Sequence, residues 1–272
     1  MRHISHEIIY SSRASTIDIV PIGDVHLGHA NCDEELLKQA IERVRTGDNT
    51  YWIGMGDMAE CISRRDPRHV ESNYAPWLHG VDRVFMAQRD ALVERLKPIG
   101  HKCLAYLTGN HEQTALDKSG VDVYHSVIEQ IAPDRGLAMG VHGFITLKLR
   151  RGKSGNDVQN YHIYAHHGFG GGRLSGGKAL KLERLPGSYD AHLYLMGHMH
   201  SLEQVPGIRL YPPNKGGRIM RREWRAVVTG SFLRTCVEGQ EMYAEHKGYK
   251  PLPVGYPVVT ITPSTLETRV TV

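Results

Sequence analysis

In the first half of this chain, short apolar runs rich in β-formers alternate with stretches of helical periodicity, and no other feature narrows the fold as much. Thr16–Gly23 reads as a strand and Asp33–Arg45 as a helix opened by an Asp33 cap. Thr50–Gly56 is a second strand, and Val81–Leu96 is a helix that stops at Pro98. Lys102–Thr108 is a third strand, followed by a helix over Val121–Ile131 that ends before Pro133. Such a series builds a mostly parallel sheet with helices on its faces, so an α/β fold is expected. The second half is richer in strands: Val141–Arg150, Asn160–His166, Ala191–Met196, Ala226–Thr229, Val258–Thr262 and Thr268–Val272, with a helical stretch at Lys178–Leu185. No repeat or compositional shift marks a linker, and a single domain over residues 1–272 is the expectation.

The apolar runs end in unusual company. After successive strands come Asp24-Val-His26, Asp57, Gly109-Asn110-His111, His166-His167 and Gly197-His198-Met199-His200. In open α/β sheets, ligands bind outside the carboxyl ends of the strands, so these residues should converge on one rim. In Asp24-x-His26 and His198-x-His200 the paired residues are two apart, which in extended backbone points both side chains to one side. Mixed carboxylate, imidazole and amide donors suit zinc, manganese or iron better than a thiolate-preferring metal. The chain has 17 histidines, which makes their clustering at strand ends informative. A single Asp or His at a strand end is ordinarily a turn former, and it is the ordered set that points to metal chemistry.

Taken in order, GDVH at Gly23–His26, GD at Gly56–Asp57, GNHE at Gly109–Glu112, HHG at His166–Gly168 and GHMH at Gly197–His200 resemble the motifs of the calcineurin-like metallophosphoesterase superfamily. VTGSF at Val228–Phe232 is similar to the strand element that follows the last of them. The resemblance implies a four-layered α/β sandwich, two mixed sheets flanked by helices. It also implies a dinuclear, metal-dependent phosphoesterase in which a hydroxide bridging two divalent ions attacks the ester. Asp24, His26 and His200 would hold one ion, and Asn110, His198 and one histidine of the HHG pair the other; Asp57 would bridge them. His166, first after the apolar run, is taken as that histidine, with His167 as the alternative. His111 would act on the leaving oxygen, and Glu60 stands where some relatives place an acidic partner for it. Manganese is placed first as the metal, with zinc, iron and nickel as alternatives. The Asp-Arg-Gly of the family's Ser/Thr phosphatases is missing after Asp57, where Glu60-Cys61-Ile62 stands, so that branch is set aside.

The substrate is less constrained. The net charge of +4 and the basic residues Arg64, Arg65 and Arg68 favour a phosphodiester, nucleic acid included. Arg173 and Lys178, on the glycine-rich loop Gly168–Gly177 and just after it, could reach substrate phosphates. The alternatives are a phosphomonoesterase acting on a small molecule and a non-catalytic scaffold of the same fold. GRLSGGK at Gly172–Lys178 imitates a P-loop but has Ala179 where a Ser or Thr would be needed. His142, His162 and His192 alternate with apolar residues in or near strands and read as structural. Cys32, Cys61, Cys103 and Cys236 form no CxxC pair and read as free thiols. No run approaches the roughly 18 apolar residues of a membrane span, so no membrane partner and a cytoplasmic location are expected.

Overall fold

The computed structural model describes residues 1–63, 66, 69–153, 158–170, 174–213, 216–237, 248 and 250–272. Arg64, Arg65, Arg68 and Arg173 lie outside these residues. Two six-stranded sheets form the framework. The first contains β1 (Arg2–Tyr10), β6 (His142–Arg151), β7 (Val158–His166), β8 (Leu193–Met196), β10 (Met220–Thr229) and β9 (Leu202–Tyr211), in that spatial order. The second runs β12 (Glu267–Thr271), β11 (Val258–Thr262), β2 (Ile17–Ile22), β3 (Thr50–Gly54), β4 (Cys103–Leu107) and β5 (Ala138–Gly140). Strands β2, β3, β4 and β5 are mutually parallel, as are β7, β8 and β10; the antiparallel pairs are β6–β7, β9–β10, β2–β11 and β11–β12.

The parallel strands are buried on both faces, which is why they read as nearly unbroken apolar runs. In β2, Ile17 and Ile19 face the layer between the sheets, where they meet Ile53, Leu104, Ile145, Leu147, Ile163, Leu193 and Val227. The alternate residues Val20 and Ile22 face the helices, beside Trp52 and Tyr106. Against that outer face pack α1 (Glu34–Thr46), α2 (Val84–Leu96) and α4 (Val123–Ile131), through Leu37, Ala40, Val44, Leu92, Val127 and Ile131. On the far side α5 (Ser175–Ser188) covers Tyr164, Tyr194, Ala226 and Val228 with Leu182 and Leu185. The layers therefore run helix, sheet, sheet, helix. Each fully buried Ile, Leu or Val here contributes about 1.5–3 kcal/mol through loss of contact with water.

Local chemistry sets the helix ends. The Asp33 carboxylate accepts the Leu36 N–H at 3.0 Å and so caps α1, with Glu34 and Glu35 in the first turn and Arg43 and Arg45 in the last, each sign matching the helix dipole. Asp122 caps α4 in the same way through the His125 N–H at 2.9 Å. A further helix, α3 (Asn110–Ser119), begins at the GNHE motif and ends at Gly120 with φ 66°. Among the described residues, no helix is long and apolar enough to cross a membrane.

Candidate metal centre

The motif residues leave β2, β3 and β4 of one sheet and β7 and β8 of the other at their carboxyl ends, so the ligands gather at the seam between the sheets. Two groups form. Asp24, His26 and His200 offer ligand atoms within 4.8 Å of one another, and Asp57, His167 and His198 do the same. In the first group the His26 and His200 Nε2 atoms stand 3.2 Å apart, and His200 Nε2 is 3.3 Å from Asp24 Oδ1. In the second, His167 Nε2 is 3.3 Å from both Asp57 Oδ2 and Asn110 Oδ1.

The loops that carry these side chains are strained. Asp24, His26, Asp57, His198 and His200 all have positive φ, between 46° and 67°. Each non-glycine residue in that region costs about 1–3 kcal/mol and persists only where its surroundings hold it. The extended backbone expected for the two His/Asp pairs is therefore not what aligns them; left-handed residues at both ends of each triplet do so. Hydrogen bonds compensate. The Val25 and His26 N–H groups both donate to Asp57 O, at 2.9 and 3.0 Å, and the Ser231 hydroxyl donates to Asp24 O at 2.9 Å. Gly109 is required by close approach, because a Cβ there would overlap Asp57 Oδ1.

Other hydrogen bonds aim the ligand atoms. His26 Nδ1 donates to Glu60 Oε2 at 2.8 Å, which leaves Nε2 to face His200. His167 Nδ1 donates to Met55 O at 2.8 Å, which leaves its Nε2 facing Asp57. Burial lowers the affinity of His167 for a proton, but the charge on Asp57 outweighs it and lifts the pKa to about 10. Burial works against the Asp57 carboxylate too, yet His111, His167 and His26 hold it well below the usual range. The pocket thus favours positive charge. Asp24 Oδ1, fully buried, accepts no hydrogen bond among the described residues, and two imidazole nitrogens face each other across 3.2 Å. A buried carboxylate oxygen without a donor, beside converging lone pairs, is what a divalent cation satisfies, so the donor set fits metal ions.

Two expectations from the sequence change here. His166 is not among the converging residues: its Nδ1 accepts the Gly168 N–H at 2.7 Å, and its ring lies toward His142 and Phe169 on the outer face of the sheet. His167, one residue on, turns inward and joins the group. Glu60 serves His26 as well as His111: its carboxylate hydrogen-bonds His26 Nδ1 at 2.8 Å and lies 3.8 Å from His111 Nδ1. It is the backbone carbonyl of Glu60 that accepts from His111 Nδ1. Burial would raise the Glu60 pKa; the neighbouring His111 and the hydrogen bond from His26 hold it at about 2. Lys178, in the first turn of α5, is buried, and its ammonium donates to Met199 O at 2.9 Å. It therefore braces the GHMH loop from behind.

The sequence reading assigned no role to Glu112. This buried carboxylate accepts the N–H groups of Met58 at 2.6 Å, Ala59 at 3.0 Å, and Asp57 and Gly109 at 3.1 Å each. It ties the loop after β3 to the loop after β4. Gln88, fully buried on α2, similarly accepts the Cys61 N–H at 3.0 Å. A polar residue in register with Val84, Phe85 and Leu92 was the available signal for it.

Layer order and paired ligand groups at one rim now stand together. This is the four-layered α/β arrangement, with ligand groups at one rim, that the sequence resemblance implies. No protein-family model matches the chain, and no curated protein matches it. Among solved structures, it is similar to a conserved uncharacterized protein of Streptococcus pneumoniae TIGR4 described as a predicted phosphoesterase, with 13% identity and a TM-score of 0.37 over 91% of this chain and 84% of that one. It is also similar to a double mutant of Vps29 from Entamoeba histolytica, with 11% identity and a TM-score of 0.30 over 94% and 98% of the two chains. At these values neither adds to what the layers and the ligand groups establish.

Proposed function

We propose that this chain hydrolyses phosphate esters at a two-metal centre, with a phosphodiester, nucleic acid included, as the preferred substrate and manganese as the first candidate metal. The observation that carries the proposal is the pair of ligand groups, Asp24–His26–His200 and Asp57–His167–His198, with Asn110 and His111 beside them. When bound, two divalent ions at such groups would neutralise a phosphate and acidify a water molecule. Asp57, whose charge is felt by both His26 and His167, would serve both ions.

The chain's own residues supply the rest. The His111 N–H donates to Asp57 Oδ1 at 2.9 Å, which fixes the start of α3, and its Nδ1 donates to the Glu60 carbonyl. As an imidazolium it can give a proton from Nε2 to the departing ester oxygen. Glu60, ionised and buried, favours that charged form and keeps His26 in one tautomer. The diester preference is supported by the basic balance of the chain and the arginines of residues 64–68.

Turnover of p-nitrophenyl phosphate, bis-p-nitrophenyl phosphate, cyclic nucleotides and single- and double-stranded DNA, with Mn²⁺, Mg²⁺, Zn²⁺ or Ni²⁺, tests this. Diester cleavage is expected, abolished in Asp57→Asn together with loss of metal from the reconstituted protein. Faster cleavage of the monoester with no attack on nucleic acid would move the substrate to small phosphomonoesters. No turnover of any of them with two metal equivalents bound would leave a scaffold.

A further inference from the structure

Helix α5 buries Lys178, Leu182 and Leu185 along one face. The leucines belong to an ordinary helix–sheet contact, whereas a lysine in line with them is 3% exposed. Burying an ammonium is costly unless a charge pairs with it. Among the described residues Lys178 forms no salt bridge, and Glu203 acts on it only at a distance. What holds the ammonium is the Met199 carbonyl, at 2.9 Å.

Met199 stands between two residues that serve different ligand groups, His198 in the one with Asp57 and His200 in the one with Asp24. Its N–H donates to Gly197 O at 2.8 Å, which closes a tight three-residue turn. His198 and His200 both have left-handed backbone, with φ 67° and 46°, a state that persists only where the surroundings impose it. Part of that restraint comes from the seam: the His198 N–H donates to Asp24 Oδ2 at 2.8 Å. The rest comes from α5, which grips Met199 twice. Its side chain is buried in the cluster that Leu182 and Leu185 form with the sheet, and its carbonyl is taken by Lys178.

We infer that Lys178 is a positioning residue for both ions, fixing the one carbonyl that lies between a ligand of each group. The inference rests on the reading of those groups as a metal centre. A peptide unit is planar, so holding the Met199 oxygen fixes a plane that runs from the Met199 Cα to the His200 Cα. The Met199 Cα is in turn one residue from His198, and both imidazoles take their direction from this turn. Charge alone would give Lys178 the opposite effect. A cation beside two divalent ions repels them, so its removal should tighten their binding. If Lys178 acts by geometry, its removal loosens them, and the sign of the change separates the two.

Lys178→Met keeps the reach of the side chain and removes the ammonium. Zn²⁺ affinities are measured by competition with a chromophoric chelator, and urea unfolding of the metal-free protein is followed alongside. Both equivalents should bind roughly 10- to 100-fold more weakly, the usual effect of losing a group that orients metal ligands. The metal-free protein should unfold at the wild-type midpoint or above, because a buried charge has gone. In the Co²⁺-loaded variant the visible d–d bands should move, since the ligands are re-aimed. Unchanged or tighter binding, or weakening of one equivalent alone, overturns the inference while the metal centre stands. Weaker binding matched by a lower metal-free midpoint, with the Co²⁺ bands unmoved, makes Lys178 a structural strut and overturns it too. Should Lys178→Met not fold, the wild type decides: the Lys178 ammonium resonance of ¹⁵N-lysine-labelled protein should shift on adding two equivalents of Zn²⁺, and no shift overturns the inference. Failure of the wild type to bind two equivalents removes the centre itself, and the role of Lys178 with it.

Discussion

Replacing Glu112 by glutamine changes one oxygen of a side chain that the loops carrying Asp57 and Asn110 lean on. In the wild type, Oε1 accepts from Met58 and Ala59, and Oε2 from Asp57 and Gly109. All four donors belong to buried residues. An amide keeps one acceptor and presents N–H groups where the other stood, so two backbone N–H groups lose their partner and face a donor. Each buried unsatisfied group costs about 1–3 kcal/mol, giving roughly 2–6 kcal/mol for the pair. An opposing effect exists: burial and the nearby Asp57 charge raise the Glu112 pKa, so the carboxylate is itself under repulsion that an amide relieves. The net expectation is a loss of at least about 2 kcal/mol, a large share of the 5–15 kcal/mol by which a typical domain is stable. Urea unfolding of Glu112→Gln against wild type measures it, read from the midpoint at constant slope. The loss should come with weaker metal retention, because Asp57 and Asn110 are carried by the loops that Glu112 joins. A midpoint and metal content indistinguishable from wild type would show that the four N–H groups do not depend on this acceptor.

Two further outcomes follow from the same geometry. His167→Ala should lose about one equivalent of metal on reconstitution, whereas His166→Ala should retain both; elemental analysis decides, and the reverse pattern would restore His166 as the ligand. His192 is buried, and burial, aided by Arg222, lowers its pKa to about 4. A lowered folded-state value means that the unfolded chain takes up the proton first. Stability is therefore fully present above about pH 6.5 and falls as the pH drops toward 4, by up to about 3 kcal/mol. Unfolding free energies across that window should show a shallower slope in His192→Asn, and an unchanged slope would exclude His192 as a source.

The parallel core and the order of the ligand motifs were legible because both depend on short-range pattern: strands buried on two faces, and polar residues where those strands stop. What escaped lacked such a pattern. β1 buries only Ile8 and Tyr10, and at the edge of its sheet its polar residues meet solvent. α3 buries only Glu112 and Ala115 and so carries no apolar stripe. β9 contains Pro206-Gly207, which reads as a turn; the proline is tolerated because β9 pairs on one side only, with β10. The choice within the HHG pair could have been made by strand parity. Tyr161, Ile163 and Ala165 face the layer between the sheets and Tyr164 faces outward, so His166 follows Tyr164 and the next residue turns in. The division of Glu60 between His26, through its carboxylate, and His111, through its carbonyl, depends on contacts across the seam that no local pattern records.

The order in which the strands lie side by side bears on how the chain is made. β1 lies parallel to β6, with Arg2 opposite Gly143, and β2 is completed by β11, with Ile19 opposite Val259. A ribosome that adds about 5–20 residues per second delivers residue 259 many seconds after residue 19, so a face of β2 waits unpaired through most of synthesis. The last residue of the candidate metal centre, His200, emerges well before that closure. A nascent chain released shortly after His200 would carry every residue of the two candidate groups on a sheet with an open flank, and such an edge is a template for pairing with another chain. Protection of that flank during synthesis is therefore a requirement set by strand order, independent of how stable the finished protein is.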